Sequence, residues 1–102
     1  MDIIWSPRAQ KRITEYARQL AEYDYPETAR NWILTIRMRA ETLADFPRSG
    51  RISPEFKARR PVVRDITIGK YRLFYRIHRG SVEVISIHNC KNKRLHLFAR
   101  CK

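Results

Sequence analysis

Acidic side chains are the scarcest resource of this chain: 10 Asp and Glu stand against 22 Lys and Arg, leaving a net charge of +12. The shortage is local. Residues 1–50 are nearly balanced, with 8 basic against 7 acidic side chains. Residues 51–102 hold 14 Lys and Arg and only Glu55, Asp65 and Glu83, a net of +11. Like charge crowded onto one end of a small domain costs stability, so solubility alone does not account for it; an acidic or polyanionic partner does. Cysteine is nearly missing. Cys90 and Cys101 are the only two, too few for a disulfide scaffold, and with no signal peptide in view a reduced cytoplasmic protein is expected. No apolar run approaches the ~20 residues of a membrane span, so no membrane partner is expected. Internal repeats and low-complexity linkers are missing. So are an acid pair, a Gly-rich phosphate loop and a Ser/His/Asp set, and no cofactor is called for.

What is present is a globular composition, 43 % apolar despite 31 % charged, which excludes a disordered chain. Its 102 residues predict one domain, 1–102, well above the roughly 40 residues below which metal or disulfide staples become necessary. Asp2-Ile3-Ile4-Trp5 reads as a short strand. Ser6-Pro7 supplies an N-cap and a proline at the first helical position. Ala9, Ile13, Tyr16, Ala17 and Leu20 then put an apolar face on a helix over Pro7–Tyr23. Asp24 is expected to cap a second helix, with Glu27 in the capping-box position. Its apolar face is Ala29, Trp32, Ile33, Ile36, Ala40 and Leu43, and Pro47 ends it. So short a connection makes the pair an antiparallel hairpin.

After Ser49-Gly50 the period changes. Arg51–Arg60 is a polar loop. Val62–Ile68, Tyr71–His78 and Val82–His88 are strands, the first two split by Gly69-Lys70, a pair suited to a two-residue hairpin turn. In the middle strand Tyr71, Leu73, Tyr75 and Ile77 face the helices. Arg72, Phe74, Arg76 and His78 alternate with them and are expected to face solvent or a ligand. The predicted class is α+β: an N-terminal strand, a helical hairpin and a three-stranded antiparallel sheet in two layers. Leu95–Lys102 is a basic tail with room for a last helical turn.

Each functional reading has a plain structural counterpart. An aromatic between two arginines, Phe74, has the composition of a nucleic-acid or peptide contact; equally, the tail folds over it. Lys57, Arg59 and Arg60 form either a phosphate-contacting loop or a solvated one. His88 is a base with an ordinary pKa near ~6.5 or, preferably, a hydrogen-bonding residue that closes the sheet. His78, beside a turn, is expected to be exposed. The spacing of His88, Cys90, His96 and Cys101 matches no pattern of paired zinc ligands, so no metal site is expected and Cys90 is read as a small filler or incidental thiol. Trp5 and Trp32 fall on core faces.

The element order, the phrase Leu43-Ala-Asp-Phe-Pro-Arg-Ser-Gly-Arg51, the block Tyr71-Arg-Leu-Phe-Tyr-Arg-Ile77 and the strand Val82-Glu-Val-Ile-Ser-Ile-His88 together resemble the RelE/ParE superfamily of bacterial toxins over essentially the whole chain. The resemblance implies a toxin of a type II toxin–antitoxin pair, neutralised by a cognate antitoxin whose C-terminal segment wraps it, and a toxin–antitoxin hetero-oligomer. RelE-like members cleave mRNA on the ribosome; ParE-like members inhibit DNA gyrase by binding. The long hairpin, about 17 and about 20 residues if the caps are read correctly, and the ending His88-Asn-Cys-Lys-Asn-Lys-Arg-Leu-His-Leu97 resemble the ParE branch. On that reading the basic sheet face and the C-terminal tail are expected to make the target or antitoxin contacts, through Arg60, Arg72, Phe74, Arg76, Lys91, Lys93 and Arg94, and no catalysis is expected. The competing RelE-like reading is a metal-independent endoribonuclease using Arg64, Arg72, His88 and His96. Such chemistry needs a base, an acid and cations on the phosphorane, and here the set is partial: Ile66 and Cys90 stand where the superfamily's further cations fall.

Overall fold

A computed structural model describes residues 1–90. The order is β1 (Asp2–Trp5), α1 (Pro7–Tyr23), α2 (Pro26–Asp45), β2 (Arg51–Ile52), a 3₁₀ turn (Pro54–Phe56), β3 (Val63–Ile68), β4 (Tyr71–His78) and β5 (Ser81–Asn89). The α+β class and the helical hairpin are as the sequence predicts. The sheet is larger: its five strands run β1-β5-β4-β3-β2. The N-terminal strand lies parallel beside β5, pairing Asp2 with Ser81 through Trp5 with Val84. At the other edge, Arg51–Ile52 pairs with β3, so part of the expected polar loop is strand. The tail from Leu95 lies outside the described residues.

Local chemistry explains where the helices begin. Ser6 caps α1 by accepting the Ala9 N–H at 3.1 Å, and its hydroxyl donates to the Ile85 carbonyl at 3.0 Å, tying the helix start to β5. Asp24 does not cap α2. It closes α1, its N–H reaching the Leu20 carbonyl, while Tyr25 takes the cap position of α2 with no side-chain bond. Pro26 is the reason: a proline at the first helical position holds its predecessor extended, so the cap falls on Tyr25 whatever its side chain.

One face of the sheet packs on the hairpin. Ala9, Ile36, Ala40 and Leu43 from the helices meet Leu73, Tyr75, Val82, Val84 and Ile87, all fully buried. At one end Tyr16 packs edge-on to Trp32 and Tyr71, which are tilted against each other, with ring centroids 4.9–6.1 Å apart, and the Tyr16 hydroxyl accepts the Asn89 N–H at 3.0 Å. Near the middle, the Tyr75 hydroxyl donates to Pro47 O at 2.7 Å and accepts the Gly50 N–H at 3.0 Å. That single hydroxyl pins the chain where it leaves α2.

The opposite face is not bare. Arg72 and Phe74 are each only 1 % exposed, against the expectation that alternation would leave them outside. Segment 53–62 folds back across that face. Phe56 stands edge-on to Phe74 at 5.6 Å, and Val63 and Ile85 complete a small second core. Alternation sorts residues between faces; it carries no information about a cover supplied from elsewhere in the chain.

Candidate functional site

The covered part of the second face is held by charge. Arg72 donates to Glu55 Oε1 at 3.0 Å and Oε2 at 3.1 Å, and to Asp65 Oδ2 at 2.6 Å. All three side chains are at most 2 % exposed. Arg51 takes the other Asp65 oxygen at 3.0 Å, and the Ser53 hydroxyl donates to Glu55 at 2.5 Å. Burial works against the charge of Glu55, but the Arg72 and Ser53 hydrogen bonds outweigh it and hold the carboxyl below its ordinary 4.5. For Arg72 too, burial opposes the charge and the two carboxylates reverse the balance, so its pKa is raised. Two of the three acidic residues beyond residue 50 are thus committed to one buried arginine. Arg72, expected to face solvent or a ligand, is instead occupied within the fold: its charged groups hold the 3₁₀ turn against β3 and β4.

The uncovered part is shaped by an irregularity in β5. Phe74 pairs with Ser86 and Tyr75 with Val84, so Ile85 is an extra residue, a bulge. A bulge shifts the two-residue period by one. Val82 and Val84 point at the helices before it and Ile87 does so after it. Ser86 and His88 are thereby turned to the open face, opposite Phe74 and Arg72. They floor a groove of about 410 Å³ whose other walls include Arg8, Phe56, Arg59, Arg76 and Glu83.

His88 is bonded within this groove, its Nε2 2.9 Å from Ser86 Oγ and its ring edge-on to Phe74 at 5.7 Å. Burial, and then the charges of Arg12, Arg8 and Arg72, lower its pKa from 6.5 to about 4. The imidazole is neutral at pH 7 and too weak a base to be matched to chemistry there. His78, expected to be exposed, has Nε2 2.8 Å from Glu83 Oε1.

The other sequence candidates separate. Arg64 donates to the Gly50 carbonyl at 2.8 Å. Arg60 is exposed and donates to the carbonyls of Lys57 and Arg59. Arg76 lines the groove, with its Nε buried and unpartnered among the described residues. Phe74 lies beneath the groove as packing, with the Arg72 guanidinium 5.0 Å from its ring centre. Lys91, Lys93, Arg94 and His96 lie outside the described residues. Cys90, read from sequence as a small filler or incidental thiol, is disulfide-bonded. Sequence reasoning missed Arg8 as a groove residue and Arg12 in the hollow beside it, while Arg59 stood out only as part of a phosphate-contacting or solvated loop. A signal for the first two was present: Arg8, Lys11 and Arg12 crowd the start of α1 with no acid in its first turn, where the helix dipole favours anions.

Comparison with known proteins gives the site its context. No curated protein matches the chain. A solved structure described as the chromosomal ParDE TA system from P. aeruginosa is similar in fold, with a TM-score of 0.72 at 17 % identity over 87 % of this chain and 95 % of that one. Residues 3–92 match the family model described as ParE toxin of type II toxin-antitoxin system, parDE. That match spans both layers of the fold and the groove on the open face of the sheet, and by it the chain belongs to the ParE toxin family of type II toxin–antitoxin systems.

Proposed function

We propose that this toxin arrests growth by binding DNA gyrase in the cytoplasm, without chemistry of its own, and that a cognate antitoxin masks it in a hetero-oligomer. The observation that carries the reading is the state of Arg72. A ribosome-dependent nuclease would need that strand arginine free to stabilise a phosphorane. Here it is buried and shared between Glu55 and Asp65. Arg64 is engaged with a backbone carbonyl, and His88 is neutral and bonded to Ser86. What remains for a partner is a basic surface, including Arg59, Arg60 and Arg76, suited to recognition by charge and shape. An acidic antitoxin segment would meet the same surface with complementary charge.

The test is a pair of assays with the purified chain. Gyrase-driven supercoiling of a relaxed plasmid should fall with added toxin, and in vitro translation should proceed unchanged. Prompt loss of translation with cleaved mRNA and intact supercoiling would replace this reading with the nuclease. Added antitoxin should restore supercoiling.

A further inference from the structure

Four arginines around the groove make no ion pair among the described residues, although Glu15 lines the hollow that Arg8 and Arg12 share. The ion pairs among the described residues use Arg30, Arg51, Arg72 and His78, and none uses Arg8, Arg12, Arg59 or Arg76. The one carboxylate in the groove, Glu83, is engaged by His78. Arg8 belongs at once to this groove and to a neighbouring hollow lined by Lys11, Arg12 and Glu15. The cations therefore form one track, from the start of α1 across the end of β5 to Arg76 and Arg59. Arg59 lies over the Phe56 ring, 5.1 Å from its centre, which holds a guanidinium at the groove wall.

We propose that this track is a phosphate-oxyanion site that takes the sugar–phosphate backbone of a nucleic acid, with Arg8, Arg12, Arg59 and Arg76 on successive phosphates. The floor disfavours the main alternative. β4 is an interior strand, β5 pairs with β1 as far as Val84, and beyond it the Ile85 carbonyl and the Asn89 N–H are taken by the Ser6 and Tyr16 hydroxyls, so an acidic peptide finds little free edge to extend. The apolar residues beneath, Phe74 and Val63, are already buried, so an amphipathic helix finds few anchors. A backbone read by side chains alone needs neither, and the planar arginine fork matches phosphate. Burial is the first cause of the lowered pKa of His88, and the charges of Arg12 and Arg8 add to it, as cations flanking the groove would. This inference rests on the binding reading above and deepens it: the face that meets gyrase would also touch the DNA that gyrase holds.

Binding of the full chain to a fluorescein-labelled duplex of mixed sequence, followed by anisotropy without gyrase, tests it. Saturable binding is expected at about 50 mM KCl, with affinity falling linearly in log–log salt plots. Arg12→Ala and Arg76→Ala should each weaken binding roughly 5–10-fold and make the slope shallower by about 0.9. Arg30→Ala, on α2 beside Glu27, should change neither. Circular dichroism verifies that each variant is folded. Equal losses for Arg30→Ala would reduce the effect to net charge and overturn the site. Displacement of the duplex by poly-glutamate as readily as by unlabelled DNA would overturn the nucleic-acid assignment. Shifts of the His88 ring resonances with inorganic phosphate, without duplex binding, would leave a small-anion site and overturn it too. Because gyrase is absent, a negative result leaves the supercoiling test standing, and a failed supercoiling test leaves this one standing.

Discussion

Removing the Arg72 guanidinium would leave Glu55 and Asp65 buried with their main partner gone. Breaking a buried ion pair from one side costs about 3–5 kcal/mol, so Arg72→Ala should lower the urea midpoint strongly. A variant that loses toxicity with an unchanged midpoint would contradict the structural role and return Arg72 to the list of contact residues. His88 gives a second handle. Its folded pKa, about 4, lies below the ordinary 6.5, so between those values the unfolded chain binds more protons. Stability is then lost as pH falls from about 6.5 toward 4, with no penalty above that window. Glu55, also held low, adds its own loss below its ordinary 4.5. Melting temperatures should therefore fall from pH 7 to pH 5, and His88→Gln should flatten that part of the profile while leaving the steeper fall below it. Both residues stood out in the sequence as chemistry-bearing positions. Their roles did not, because burial by a distant segment and repulsion from α1 are invisible in the strands that carry them.

Two local features show how an element sets what its residues do. The bulge at Ile85 reverses the facing of everything after it in β5. Without it, His88 would share the parity of Val82 and Val84 and point into the helical core. Polar Ser86 and His88 flanking apolar Ile87 hint at a phase change, but the pairing register is what establishes one. The turn after α2 depends on closeness of approach. A Cβ on Gly50 would lie 2.7 Å from the Asp65 carbonyl and 2.8 Å from the Tyr75 ring. Neither can yield cheaply, one being sheet backbone and the other a fully buried ring held by two hydrogen bonds. Gly50→Ala should therefore cost about 1–3 kcal/mol by overpacking, read as a lowered urea midpoint with an unchanged slope. An unchanged midpoint would mean that the α2–β2 connection is looser than its geometry implies.

Across the molecule as a whole, charge opposes folding while packing drives it. With a net charge of +12 and the pairs of Arg72 shielded from solvent, added salt mainly screens repulsion among exposed cations. The thermal midpoint should rise by a few degrees between about 20 mM and about 300 mM NaCl. A fall would mean that exposed ion pairs outweigh the repulsion. The same excess charge is what a polyanionic partner or an acidic antitoxin would relieve, so binding and stabilisation should go together. No helix among the described residues is long and apolar enough to cross a membrane. Membership of the ParE family extends over residues 3–92, both layers included.

The class, the hairpin and the three main strands follow from apolar period, proline and glycine placement and β-branched runs, all of which act over a few neighbouring residues. So does the basic bias beyond residue 50, a matter of counting. Long-range contacts made the rest. Asp2–Trp5 joins the sheet through β5, which lies far along the chain. Arg72 and Phe74 are buried because Glu55 and Phe56 reach them from a segment that composition marks only as polar loop. The groove exists because a bulge in β5, the start of α1 and the 53–62 segment meet there. Periodicity is a property of one element and a site is a property of several, so the strand that bears His88 is legible from sequence and the company His88 keeps is not.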